Sequence, residues 1–265
     1  MSMDQERLSP IMTQGDHVYN FGPNAYSKPA AGLTMLRNTI MGPELFDYAF
    51  RTYSKRWMFK HPTPADFFRT MEDAAAMDLD WFWRGWFYTT DYNDVGIKEV
   101  KKYYLTDNPS KTAKTKTQRF SKEINELIYF ASEDEIGDPS KAKKLKDFTA
   151  INEYLNNLSE VERATMKKVP NYFYEVTFDK PGGLVLPLIV ELTFEDGTKE
   201  RKQYPAEIWS KHDKEVKKTF ATEKQITNIV VDPDLETADI DMTNNSWPKK
   251  TEGNQFEKFK QKLKN

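Results

Sequence analysis

The 265-residue chain is 38% hydrophobic and 14% aromatic, enough to bury a substantial core, and it is long enough for two domains of ordinary size. Charged residues make up 30% and nearly cancel, to a net charge of −2, so no overall field draws the chain to nucleic acid or to a membrane surface. The absence of cysteine excludes a disulfide scaffold, thiol catalysis and cysteine-ligated zinc, and no run of about 18 apolar residues offers a helical membrane span.

Met1 to Pro10 is polar and charged with no apolar h-region, so no signal peptide is expected there, and the compartment stays open. Residues 1–25 lack periodicity and end in the turn cluster Asn20-Phe21-Gly22-Pro23-Asn24, which reads as a loop. Ser27 is the expected N-cap of a first helix, with Pro29 in its first turn and Leu33, Leu36 and Ile40 on one face. Tyr26 stands just before that helix start, where a phenol can project from the packed layer into a cleft. The plainer reading of Tyr26 is a half-buried tyrosine that locks a loop.

The first helix is expected over 28–41, ending at Gly42-Pro43, and a second over 43–59 with Phe46, Ala49, Phe50, Tyr53 and Trp57 inward. His61-Pro62-Thr63-Pro64 breaks it. Thr63 then caps a third helix with Asp66 in its first turn and Phe67, Phe68, Met71 and Ala75 buried. Asp78 is the expected cap of a fourth, on which Leu79, Phe82 and Trp86 share a face. The aromatic group Trp81, Phe82, Trp83, Trp86 and Phe87 reads as core; no basic groove accompanies it, as a nucleic-acid platform would require.

From about residue 92 the period shortens. Val95 to Leu105 reads as a half-exposed strand. Residues 106–170 read as a helical insertion: a linker over 108–117, amphipathic helices around Phe120, Ile124, Leu127 and Ile128 and around Phe148, Ile151, Tyr154 and Leu155, and a short helix capped by Ser159. Strands follow at 172–178, at 184–194, at 199–204 after a primed Asp196-Gly197 hairpin, and near 215–221 and 226–231. Their spacing suggests a sandwich. Asp232, Asp234, Asp239 and Asp241 lack EF-hand spacing and read as solvated turn residues. A basic tail from Lys249 is expected to form a short helix around Phe256, Phe259 and Leu263.

Tyr26-Ser27-Lys28 followed by the small residues Ala30, Ala31 and Gly32 resembles the Tyr-x-Lys-Gly-(small) element of the aminopeptidase N family of gluzincin peptidases; Pro29 stands where the family carries glycine. Pro64-Ala65-Asp66-Phe67-Phe68 with Asp78-Leu79-Asp80-Trp81-Phe82-Trp83-Arg84-Gly85-Trp86 resembles the close of that family's catalytic domain. Asp232-Pro233, Asp239, Asp241, Asn244-Asn245 and Trp247-Pro248 resemble its terminal closure. The resemblance implies that Tyr26 donates its hydroxyl to the oxyanion formed when zinc-bound water attacks the scissile peptide.

A gluzincin site needs two histidines four apart on one helix, with a glutamate between them as base. The three histidines here, His17, His61 and His212, have no such spacing, and the family's Gly-x-Met-Glu-Asn motif is absent. The expected fold is α+β: the helical C-terminal half of a thermolysin-like catalytic domain (1–92), then a β-sandwich (93–248) carrying the helical insertion at about 106–170, then the basic tail (249–265). The expected function is the C-terminal part of a zinc aminopeptidase that is inactive alone. Zinc, the peptide substrate and an N-terminal catalytic half belong to a full-length parent, periplasmic or secreted; this chain binds no cofactor. The alternative is a non-catalytic protein-interaction module derived from that family.

Overall fold

A computed structural model describes residues 8–108, 110–111, 128–165 and 169–249. The expected helices around Phe120 to Leu127 and in the tail beyond Lys249 lie outside the described residues. The fold is α+β, with helices over most of the first third and, after it, two antiparallel sheets with short helices between β2 and β3.

Helix α1 spans Lys28–Met35, between π-helical turns at Pro23–Ser27 and Leu36–Ile40. Ser27 does not cap it: Ser27 is itself helical (φ −69°, ψ −43°) and its side chain makes no capping bond. The helical run already includes Phe21 and Gly22. Pro29 explains the widened turn before it. Its ring has no N–H to give and crowds the carbonyl four residues back. The chain opens one notch ahead of it, with the Lys28 N–H bonding to the Pro23 carbonyl. The second π turn shifts the buried stripe, so Met35 and Leu36 are enclosed while Leu33 and Ile40 are only partly so.

Helices α2 (Pro43–Trp57), α3 (Pro64–Ala75) and α4 (Asp80–Tyr88) follow. Thr63 and Asp66 form the reciprocal capping box expected of them, with the Thr63 N–H 2.8 Å from Asp66 Oδ2. Asp78 lies one residue outside its expected place, since Leu79 is the N-cap of α4, yet Asp78 Oδ1 still accepts the Asp80 N–H at 3.0 Å. The core of this region is built from Phe46, Phe68, Met71, Leu79, Phe82, Trp83, Trp86 and Phe87. Phe50 stacks on Phe46 at 5.8 Å but stays 41% exposed, outside the stripe expected of it.

The strands are β1 (Gly96–Thr106), β2 (Tyr129–Ser132), β3 (Tyr172–Asp179), β4 (Leu188–Phe194), β5 (Lys199–Tyr204), β6 (Glu215–Thr222), β7 (Ile226–Val231) and β8 (Ser246–Trp247). They form sheets of order β2-β1-β3-β6 and β5-β4-β7-β8, every pairing antiparallel. One apolar core draws on both: Ile97, Tyr174, Val176, Phe178 and Phe220 from the first, Leu188, Val190, Leu192, Ile226, Ile229 and Val231 from the second. The Tyr174 hydroxyl crosses between them to accept the Ile226 N–H at 3.0 Å. A bulge between Ile97 and Glu99 reverses the inward parity of β1, so Val100 rather than Glu99 follows Ile97 into that core.

Three further sequence expectations give way. The region 106–170 is not helical throughout: it supplies the edge strand β2, and Leu105, Ile128 and Phe148 bury one another on the sheet's other face. Its helices α5 (Glu133–Ile136), α6 (Thr149–Asn157) and α7 (Glu160–Thr165) are short. Strand β4 starts at Leu188 instead of 184, because Pro187 has no N–H for a ladder; Leu184 and Leu186 join the helical core instead. At the β4–β5 turn only Gly197 has positive φ (79°), and its N–H bonds to the Phe194 carbonyl at 2.9 Å, so a type I turn ending in a left-handed glycine replaces the primed turn.

Candidate functional site

The backbone around Tyr26 is fixed from two sides. Asn24, 1% exposed, accepts the Ser9 N–H on Oδ1 at 3.3 Å and donates Nδ2 to the Tyr19 and Asn20 carbonyls at 2.5 and 3.2 Å. Lys28 is buried, and its Nζ donates to the Thr89 carbonyl at 2.8 Å. Burial pushes the Lys28 ammonium below the ordinary lysine pKa, and Asp91 opposes that shift. The Lys28 carbonyl accepts the Trp86 indole N–H at 2.8 Å. This close approach of α1 to α4 requires Gly32: a Cβ there would stand 2.2 Å from Trp86 Nε1.

Tyr26 itself lies in the π turn before α1 and is 69% exposed. Its ring meets Phe21 edge-on at 5.9 Å, and Phe21 and Tyr19 are also exposed. The phenol hydroxyl has no hydrogen-bond partner among the described residues. An exposed ring on a pinned backbone can offer its O–H to a group outside the chain.

The candidate metal ligands do not converge. His17, His61 and His212 are exposed and lie in three separate segments. Among the described residues, one group of three acidic side chains comes within metal-binding range: Glu72, Asp78 and Asp80, at the α3–α4 turn. Its oxygens serve the turn itself: Glu72 Oε1 accepts the Leu79 N–H at 2.9 Å, and Asp78 accepts Asp80. Burial pushes the Glu72 carboxyl above the usual range. A groove of about 650 Å³ beside it is lined by Phe68, Arg69, Glu72, Trp81, Trp83 and Arg84, and not by Tyr26.

Sequence reasoning missed two anchors. In the sequence Asn24 reads as one more turn residue, and Lys28 only as the lysine of the Tyr-x-Lys element. The signal for Lys28 was the small-residue run Ala30-Ala31-Gly32 beside it, which allows a second helix to come close enough to bury a lysine. Asp232, expected to be a solvated turn residue, is enclosed instead. Asp232 is 2% exposed and accepts from the Glu236 N–H, the Thr237 N–H and the Thr237 hydroxyl.

No family model matches the chain, and no curated protein matches it. Among solved structures it is similar to Legionella pneumophila aminopeptidase A, crystallised in complex with aspartic acid, at 12% identity and a TM-score of 0.41. The match covers 79% of this chain, which spans only 16% of that one. A superposition this loose assigns neither an activity nor a fold family. No helix among the described residues is long and apolar enough to cross a membrane.

Proposed function

We propose that the chain is the C-terminal part of a zinc-dependent aminopeptidase whose zinc ligands lie on another part of the polypeptide, and that Tyr26 donates its hydroxyl to the oxyanion formed at the scissile carbonyl of a peptide substrate. In this reading the helical region is the later half of a thermolysin-like catalytic domain, and the two sheets form a scaffolding sandwich. The observation that carries it is Tyr26 itself. The one residue the family resemblance marks as catalytic stands exposed, with its hydroxyl uncommitted, on a backbone held by Asn24 and Lys28.

The histidines of this chain do not fit zinc, so no metal step is assigned to it. What Tyr26 brings is a preorganised donor. Removing one such donor costs about 100- to 1,000-fold in turnover. In a polypeptide that includes an upstream His-Glu-x-x-His segment, Tyr26→Phe is expected to lower kcat by that factor with zinc content and KM unchanged. Normal turnover would refute the role. The purified 265-residue chain is expected to hydrolyse no aminoacyl-anilide, and robust hydrolysis would overturn the partial-enzyme reading.

The exposed aromatic surface of Tyr19, Phe21 and Tyr26 is what this reading expects of a cleft face whose other half lies elsewhere, whereas the second reading, a non-catalytic protein-interaction module, expects a closed, polar surface there. Under that second reading, Tyr26→Phe leaves the turnover of any longer polypeptide untouched.

A further inference from the structure

Helices α3 and α4 leave a groove of about 650 Å³ between them, within the size of ordinary ligand pockets. Arg69 and Glu72 line it from α3, and Asp80 and Arg84 from α4. Its floor is the ring pair of Phe68 and Trp83, stacked at 4.6 Å. The two helices are joined by the short turn at residues 76–79, so Glu72 and Asp80 lie at the turn end. Asp78 joins them there, with the three carboxylates within 4.8 Å of one another. Burial raises the Glu72 carboxyl, and Asp80 and Asp78 add to the shift.

The arginines lie one helical turn, about 5.4 Å, further along, with Arg69 before Glu72 on α3 and Arg84 after Asp80 on α4. Spacings of that kind bring opposite charges together on a helix surface. Here they do not. Among the described residues, the ion-paired arginines of the helical region are Arg37, with Asp47, and Arg56, with Asp73; Arg69 and Arg84 join neither pair. Glu72 and Asp80 likewise pair with no cation. The groove therefore has an acidic end and a basic stretch that do not neutralise each other.

A further donor in the floor is unused. Trp83 is 2% exposed, and its indole N–H is turned toward Glu72 without the geometry of a hydrogen bond to any acceptor. A buried N–H without a partner is costly, and a ligand oxygen drawn into the groove offers it one. A cation alone would leave the arginines unmatched, and an anion alone would leave the acids so. We propose that the α3–α4 groove binds a small apolar zwitterion, a free amino acid or dipeptide with an aromatic or aliphatic side chain. Its ammonium meets Glu72 and Asp80, its carboxylate meets Arg69 and Arg84, and its side chain lies on the rings of Phe68 and Trp83. The inference does not depend on the role proposed for Tyr26, which does not line this groove.

The test uses the full chain, with phenylalanine and alanylphenylalanine as probes. Isothermal titration is expected to give a Kd of about 1 mM for at least one of them, and the tighter of the two identifies the source, amino acid or peptide. N-acetylphenylalanine lacks the ammonium and phenylalaninamide lacks the carboxylate. Each is expected to bind about 10-fold more weakly than phenylalanine. In proton–nitrogen correlation spectra the Trp83 indole N–H signal should shift on binding, and that of Trp209, in the sheet core, should not. Arg84→Gln and Asp80→Asn, both at exposed positions, should each raise Kd about 10-fold, while Arg51→Gln, exposed on α2, should leave it unchanged. Absence of heat with both probes at about 20 mM would overturn the site. So would equal binding of the acetylated or amidated probe, or a Kd that neither variant changes.

Discussion

The helical region and the two-sheet region are held together by different means. In the first, rings pack on rings: Phe68 stacks on Trp83 at 4.6 Å and Phe82 on Trp86 at 6.1 Å, inside helices that start at local signals such as Thr63. In the second, aliphatic side chains such as Val190, Leu192 and Ile229 fill the core, and buried polar groups fix its loops. Rings are also what the helical region leaves outside, with Tyr19, Phe21, Tyr26 and Phe59 all more than half exposed. The difference separates two kinds of chemistry. The exposed rings are on the helical side, and Asp232, enclosed at 2% exposure, anchors a loop on the sheet side.

The sharpest way to break this contrast is to cut a hole in each core. Phe82→Ala is expected to cost about 3–5 kcal/mol and Leu192→Ala about 2–5 kcal/mol, since both side chains are almost fully enclosed. Four of the six tryptophans, Trp57, Trp81, Trp83 and Trp86, report on the helical region, whereas far-UV circular dichroism reports on both. Leu184 and Leu186 reach from the sheet side into the helical core, and Gln203 Nε2 donates to the Thr39 carbonyl at 2.9 Å. Each variant is therefore expected to shift both signals together in urea. A shift of one signal alone would show that the two regions unfold as separate units.

A smaller effect sharpens the helical side. Gly32→Ala forces a methyl into the Trp86 indole and weakens its bond to Lys28, for a cost of about 1–3 kcal/mol. Urea midpoints of Gly32→Ala, Trp86→Phe and the double variant measure it. The double variant is expected to lose less than the sum, because the smaller ring makes room for the methyl. Strict additivity would mean that the two helices do not meet there.

What was legible in the sequence follows the same division. Helix stops are local, so Gly42-Pro43 and Thr63-Pro64 placed α2 and α3 to within a residue or two at their starts. The alternation at Tyr174, Val176 and Phe178 placed β3 with its inward face, because a strand's period survives without knowledge of its partner. The π turns were not legible, since they arise from how a widened helix accommodates Pro29 and packs on α4. The bulge in β1 and the strand β2 depend on register with distant partners. The burial of Asp94 and Asn93 depends on two segments far apart in sequence, and nothing in either one announces the other. Tyr26 was identified by family resemblance, and no periodicity singles it out.

The smallest expected effect concerns the sheet side alone. The Tyr104 hydroxyl donates to Glu133 Oε1 at 3.0 Å and so ties β1 to the first turn of α5. Burial, with the carboxylate of Glu133 behind it, pushes the Tyr104 phenol from 10.0 up to about 12. The folded chain therefore holds this proton more tightly than the unfolded chain does. The stability it contributes is complete below about pH 10 and is lost as the pH rises through about 12. Tyr104→Phe is expected to cost about 0.5–1.5 kcal/mol at neutral pH, as for one hydrogen bond. It should also reduce the fall of the urea midpoint across that alkaline window. The slope should not vanish, because burial raises the Tyr174 and Tyr204 phenols as well. An alkaline slope identical in wild type and Tyr104→Phe would mean that Glu133 and Tyr104 are not joined in solution, and that α5 does not pack on β1 as described.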